Sequence, residues 1–341
     1  MTDFKKYLLD EFVEDYQEGV LSRREALKLI AGVTGSLALA TSILAACTPP
    51  QQPATPAPTT APTSAPQATA TTAATTAPTT APTDTPQPTA TATAALAATA
   101  TGAAVPSAAG GEIEASDIEF DGADGAKLLA HLARPASGDP QPVVLVCHEN
   151  RGLTEHIKDV TRRFAREGYV ALAVDLLSRQ GGSAANDSSS IPGLLGNLPQ
   201  DQFVADFTSG WRYLQTQPYV QADRLGMTGF CFGGGVTWRV AIGLPELRAA
   251  VPFYGPHPAP EEAAQIAAAV LAIYAGRDTR INQGIPAVEA AMLQNNRVYE
   301  KIIYPDTDHA FHNDTGPRYN AAAAQDAWAK TLAWFDRYLR T

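Results

Sequence analysis

Cys231 lies in GFCFGGG, residues 229–235, where its spacing from two glycines makes it a candidate nucleophile. A glycine two residues to either side of a reactive side chain is the pattern of a sharp strand-to-helix turn, because Gly229 and Gly233 leave room for a crowded backbone. Such a turn sets the thiol at a helix N-terminus, where the dipole and the free N–H groups favour thiolate over thiol. Downstream come an acid, Asp278 in AGRD, and a base, His309 in DHAF. The base would accept and return a proton, and the acid would fix its tautomer. The backbone N–H groups of Phe232, just after the nucleophile, and of Asn150 would steady a developing oxyanion. Each group has a plainer rival: Cys231 as an inert buried thiol, His312 as the base, Asp306 or Asp308 as the orienting acid, and Glu149 as a solvated loop carboxylate.

The elements that must position these groups alternate from residue 111 onward. IEASDIEF and AKLLAHLARP read as an antiparallel pair around the turn DGADG. PVVLVCHEN and YVALAVDLL are continuous apolar runs, as strands buried on both faces should be. Between them TEHIKDVTRRFAREG carries Ile157, Val160, Phe164 and Ala165 on one helical stripe. Residues 178–200, rich in Gly, Ser and Asn, read as a loop over one end. A helix over 201–217, the strand DRLGMTGF, a helix over 233–244 and the strand LRAAVPFYG follow. The strand AVLAIYAGRD, a helix over 286–296, the strand YEKIIYP and a closing helix over 319–340 complete the chain. The alternation implies an α/β fold, a mostly parallel central sheet flanked by helices on both faces. Ligands of such sheets bind beyond the strand C-termini, and Glu149, Asn150, Cys231, Asp278 and His309 all follow strands.

Residues 47–110 are almost wholly Ala, Thr, Pro, Ser and Gln, with Asp84 the single charge. That composition cannot offset the entropy of ordering, so the segment reads as a disordered linker ahead of a folded domain at 111–341. Before it, SRREALKLIAGVTGSLALATSILAAC pairs Arg23 with Arg24, runs apolar from Leu29 and ends at Ala45, Ala46 and Cys47. An apolar stretch this short behind a basic pair reads as an export signal. It resembles a twin-arginine signal joined to a lipoprotein box, which implies removal of residues 1–46 and lipidation of Cys47. Its partners during export would be the twin-arginine translocase and signal peptidase. Two features depart from that pattern: Ala26 stands where such signals carry an aromatic residue, and residues 1–21 are unusually acidic. A permanent anchor helix is the other reading, and either one places residues 111–341 at the outer face of a bacterial cytoplasmic membrane.

The net charge of −10 repels phosphate backbones and argues against a nucleic-acid partner. With Cys47 assigned to lipid, Cys147 and Cys231 remain in an oxidising compartment, where pairing them would silence Cys231. No H-E-x-x-H, C-x-x-C or dinucleotide glycine pattern is present, so the chemistry requires no metal and no cofactor.

CHENRGL, VDLLSRQG, GFCFGGG, AGRDTRI and DHAFHNDTGPRYNAAAAQDAWAKTLAWF together resemble the dienelactone hydrolase family of the α/β-hydrolase fold, across residues 113–340. The resemblance implies a carboxylic ester hydrolase of the carboxymethylenebutenolidase kind, with Cys231, Asp278 and His309 as its triad. It also implies that Glu149 contacts the resting thiol until a ligand displaces it. The chain departs from the family where substrate is held. Of the two arginines that grip a substrate carboxylate in the best-known members, one falls within 185–202, which has no arginine, and the other on Asn313. Arg318 or Arg179 would have to substitute. The resulting reading is an exported, lipid-anchored hydrolase that cleaves a small ester or lactone through a thioester acyl-enzyme. A hydrolase of larger ester or amide substrates, and a non-catalytic binding lipoprotein that retains the fold, are the alternatives.

Overall fold

The computed structural model describes residues 3–46 and 111–341. The lipidation site Cys47 and the linker 47–110 lie outside the described residues. From residue 113 the strands are β1 (Ile113–Asp121), β2 (Lys127–Pro135), β3 (Gln141–Cys147), β4 (Val170–Val174), β5 (Val220–Phe230), β6 (Ala249–Phe253), β7 (Ala269–Ala275) and β8 (Tyr299–Tyr304). They form one sheet in the order β1-β2-β4-β3-β5-β6-β7-β8. β2 pairs antiparallel with both β1 and β4, and every other pair is parallel. β3, β4, β6 and β7 are buried along almost their whole length, which is why they read as apolar runs rather than alternations.

The helices of this region are α4 (Glu155–Arg166), α5 (Ile191–Gly196), α6 (Gln200–Gln215), α7 (Phe232–Gly243), α8 (Thr279–Asn282), α9 (Ile285–Gln294) and α10 (Ala321–Leu339). α4 buries Ile157, Val160, Phe164 and Ala165, the stripe its sequence shows. Phe164 meets Trp328 of α10 at 4.4 Å between ring centres, and Phe203 of α6 meets Phe232 of α7 at 5.6 Å. Residues 178–200 are more ordered than the sequence suggests, with two short 3-10 turns and α5.

The strand order reverses at β3, which has β4 on one side and β5 on the other. A crevice opens beyond the strand ends at such a switch point. Cys147 is in register with Gly229, so β3 and β5 stop at the same level and deliver residues 148–150 beside residue 231.

Upstream, α1 (Asp3–Gln17), α2 (Arg23–Thr34) and α3 (Leu37–Ala46) belong to the same compact unit as residues 111–341. The sequence offered no structure for residues 1–21 and read 1–46 as a leader apart from the domain; here that segment is folded onto it. α2 begins with a capping box between Ser22 and Glu25 and ends on Gly35 in the left-handed region at φ 72°. Its Gly32 crosses Gly193 of α5 so closely that a side chain at 193 would run into the Gly32 carbonyl. Among the described residues, no helix is long and apolar enough to cross a membrane.

Candidate active site

Cys231 caps α7 with φ 59° and ψ −122°, a conformation that costs a non-glycine residue about 1–3 kcal/mol and marks a strained elbow. The turn is held from below by the Cys231 N–H, which donates to the Phe253 carbonyl at 3.1 Å. Glycine is required at 233, where a Cβ would stand 2.5 Å from the His148 carbonyl oxygen and 2.6 Å from that of Cys147. Phe232 opens α7, so its N–H is one of those a helix leaves without an intrahelical acceptor.

Asp278 follows β7 and uses its two oxygens separately. Oδ1 accepts the Ile281 N–H at 3.1 Å, capping α8, and Oδ2 lies 2.6 Å from His309 Nδ1. Among the described residues, His309 Nε2 has no hydrogen-bond partner. It faces the thiol, with the ligand atoms of His309, Cys231 and Glu11 all within 4.8 Å of one another. Burial works against a charged imidazole, but the charge and hydrogen bond of Asp278, with the adjoining Cys231, outweigh it and lift His309 well above its ordinary value. Burial likewise pushes Asp278 up, and the His309 and Arg280 charges with the hydrogen bonds it accepts bring it below the usual carboxylate value.

The rivals fall elsewhere. The His312 ring is stacked on Phe230 at 4.9 Å and packed against Phe253 and Trp328, and burial drives it down to about 3. Asp306 is exposed and Asp308 half-buried, and they lie 3.8 and 3.6 Å from Arg277. Cys147 and Cys231 are both free thiols.

The carboxylate against the thiol is a residue that the sequence did not single out. Cys231 Sγ lies 3.4 Å from Glu11 Oε1 and 3.3 Å from the Tyr7 hydroxyl, both carried in by α1. Asn150 Nδ2 donates to the same Glu11 oxygen at 2.8 Å. The role expected of Glu149 is thereby corrected. Its carboxylate accepts from Asn313 Nδ2 at 2.7 Å, and burial holds it up at about 7 against that hydrogen bond. The expected acidified thiol is corrected too: burial raises Cys231 above its ordinary value, Glu11 raises it further, and only His309 pulls it down. At 3% exposure, desolvation and a facing carboxylate outweigh the helix dipole.

Of the residues considered for substrate contact, Arg179 is structural, bound to Asp124 and to the buried Asp206. Arg318 donates to Asp15 of α1 at 2.6 Å and to Glu18, just past its end, at 2.7 Å. Asn313 is held by Glu149. Sequence reasoning also passed over His148, whose Nδ1 meets the Glu149 carbonyl at 2.7 Å while its Nε2 accepts the Leu176 N–H, fixing the loop after β3.

A strained strand-to-helix elbow between β5 and α7, with an acid after β7 and a histidine after β8 in a mostly parallel sheet flanked by helices, defines the class: this is an α/β hydrolase. The chain belongs to the dienelactone hydrolase family, whose sequence profile matches residues 128–339. It is 38% identical over 232 residues to a protein of Escherichia coli (strain K12) named "Putative carboxymethylenebutenolidase", covering 63% of this chain and 84% of that one. A protein of the same name from Saccharolobus solfataricus is 33% identical over 258 residues, 65% of this chain and 98% of that one. Among solved structures, a "Putative Dienelactone Hydrolase" from Klebsiella pneumoniae superimposes with a TM-score of 0.62 at 33% identity, over 67% of this chain and 100% of that one. A dienelactone hydrolase from Anabaena variabilis, 21% identical with a TM-score of 0.54 over 67% of this chain and 99% of that one, shares the fold.

Proposed function

We propose that this carboxylic ester hydrolase cleaves a small ester or lactone with Cys231 as nucleophile. The Asp278–His309 pair at 2.6 Å, aimed at the thiol on its elbow, carries the reading. The Cys231 thiol passes its proton to His309 as sulfur bonds to the substrate carbonyl carbon. The oxyanion is received by the Phe232 and Asn150 N–H groups. Collapse breaks the ester C–O bond, and His309 returns the proton to the leaving oxygen. Water, deprotonated by His309, then attacks the thioester, releasing the acid and restoring the thiol.

The leader and anchor remain part of the reading. The Arg23–Arg24 pair is exposed at the start of α2, where a translocase can reach it. The lipobox ending at Cys47 would fix the enzyme to the outer face of the cytoplasmic membrane, where it meets small esters or lactones. The test is hydrolysis of an activated aryl ester by the protein before and after residues 1–46 are cut away, with iodoacetamide labelling followed by mass spectrometry. Turnover should fall in step with labelling of Cys231, and Cys231→Ala should abolish it while keeping the thermal transition. A Cys231→Ala protein that retains turnover removes the cysteine mechanism, and a Cys231 that stays unreactive, with no turnover, after residues 1–46 are cut away favours the binding lipoprotein.

A further inference from the structure

We infer that α1 is an intramolecular inhibitor, a plug that must leave before the site turns over. The inference rests on the cysteine-hydrolase reading. A carbonyl carbon about to be attacked must sit about 3–3.5 Å from the nucleophile, and in this structure that position is taken. Tyr7 and Glu11 are one helical turn apart on one face of α1, and their oxygens lie 3.3 and 3.4 Å from Cys231 Sγ. Glu11 Oε1 also stands 4.0 Å from His309 Nε2, so it abuts both the thiol and its base. Cys231 and His309 are 3% and 7% exposed, so a substrate has no access while α1 is seated. A carboxylate is a poor electrophile, so Glu11 fills the acyl position without being consumed.

The docking is built along the length of the helix. Phe4 meets Phe203 and Phe232 edge-on at 5.2 and 5.0 Å, and Leu8 and Phe12 are fully buried. On the acidic side Glu14 pairs with Arg280 at 3.0 Å, and Arg280 also lies over the Tyr7 ring at 4.6 Å. Asp15 and Glu18 take Arg318. The acidity of residues 1–21, unexplained for an export signal, thus has a receptor in the domain itself.

α2 packs on α5 of the domain, and α3 packs on α2 and ends at Ala46, the residue before Cys47. Removal of residues 1–46 would therefore withdraw Tyr7 and Glu11 together and leave Arg280 and Arg318 at an open mouth. The two fates of the segment exclude each other: seated, it silences Cys231; removed, it frees it.

A specific protease site placed within 47–110 of the whole protein allows the cut to be made after folding, and gel filtration separates the leader. Labelling of Cys231 by iodoacetamide and turnover of 4-nitrophenyl acetate are followed before and after. Labelling should accelerate at least tenfold on loss of the leader, and a synthetic peptide of residues 3–17 should restore protection in competition with the ester. Where the leader stays bound after cutting, Glu14→Ala with Asp15→Ala and Glu18→Ala, which removes the arginine pairs without touching Cys231, should release it and speed labelling several-fold. Equal labelling before and after separation overturns the plug, and so does a loss of turnover, which would make Tyr7 and Glu11 working parts of the site. Faster labelling without turnover keeps the plug and rejects the hydrolase reading; steady turnover throughout does the reverse.

Discussion

The Glu11 carboxylate stands 3.4 Å from Cys231 Sγ, across 220 residues of sequence. Because a negative charge beside a thiol opposes its ionisation, and burial opposes it more, the resting cysteine is held protonated. Glu11→Gln keeps an acceptor for Asn150 and removes the charge. The thiol value should then move down, and the iodoacetamide rate at neutral pH should rise several-fold, with the whole pH–rate profile displaced toward lower pH. Superimposable profiles for the two proteins would show that Glu11 does not set the thiol's charge.

Asp278 holds His309 at 2.6 Å through one oxygen and caps α8 through the other. Asp278→Asn should keep the cap, free the imidazole tautomer and lower kcat by about 10²–10⁴-fold. The same pair should leave a mark on stability. Asp278 lies below its ordinary 3.8, so its contribution is present above that pH and lost as pH falls through its lowered folded value. His309 lies above its ordinary 6.5, so its contribution is complete below that pH and lost as pH rises through its raised folded value. The Tm gap between the parent and the Asn variant should therefore be widest between about pH 4 and 6.5 and narrow on both sides. Melting curves over that range test it, and a gap independent of pH would remove the ion pair from the account.

How much of this was legible follows from where the constraints are written. Strands buried on both faces leave continuous apolar runs, so β3, β4 and β7 could be read directly, and with them the positions of residues 148–150 and 276–278. The elbow was legible because only glycine fits at 233, against the carbonyls of Cys147 and His148. His309 and His312 could be ranked but not separated by sequence, since the decision lies in the packing of His312 against Phe230. Glu11 was the real omission. Its contact is long-range, and an acid on an amphipathic helix looks like solvated charge. The available signal was the face shared by Phe4, Tyr7, Leu8, Glu11 and Asp15 at helical spacing, masked by the basic pair and apolar run that follow it and read as a leader.

Glu149 provides the sharpest test of the buried loop after β3. Desolvation raises its carboxyl from 4.5 to about 7, with the Asn313 hydrogen bond and the His309 charge opposing. Between those two pH values the unfolded chain gives up the proton while the folded chain keeps it, so the wild type loses stability as pH rises and levels off once both states are ionised. Glu149→Gln retains an acceptor for Asn313 and has no proton to lose. The difference in unfolding free energy should thus shift toward the Gln variant by about 3 kcal/mol from below pH 4.5 to above pH 7. Urea midpoints measured in parallel at acid, intermediate and alkaline pH would read that shift. A constant offset would mean that Glu149 titrates alike in the folded and unfolded chains, with Asn313 and its cationic neighbours compensating its burial.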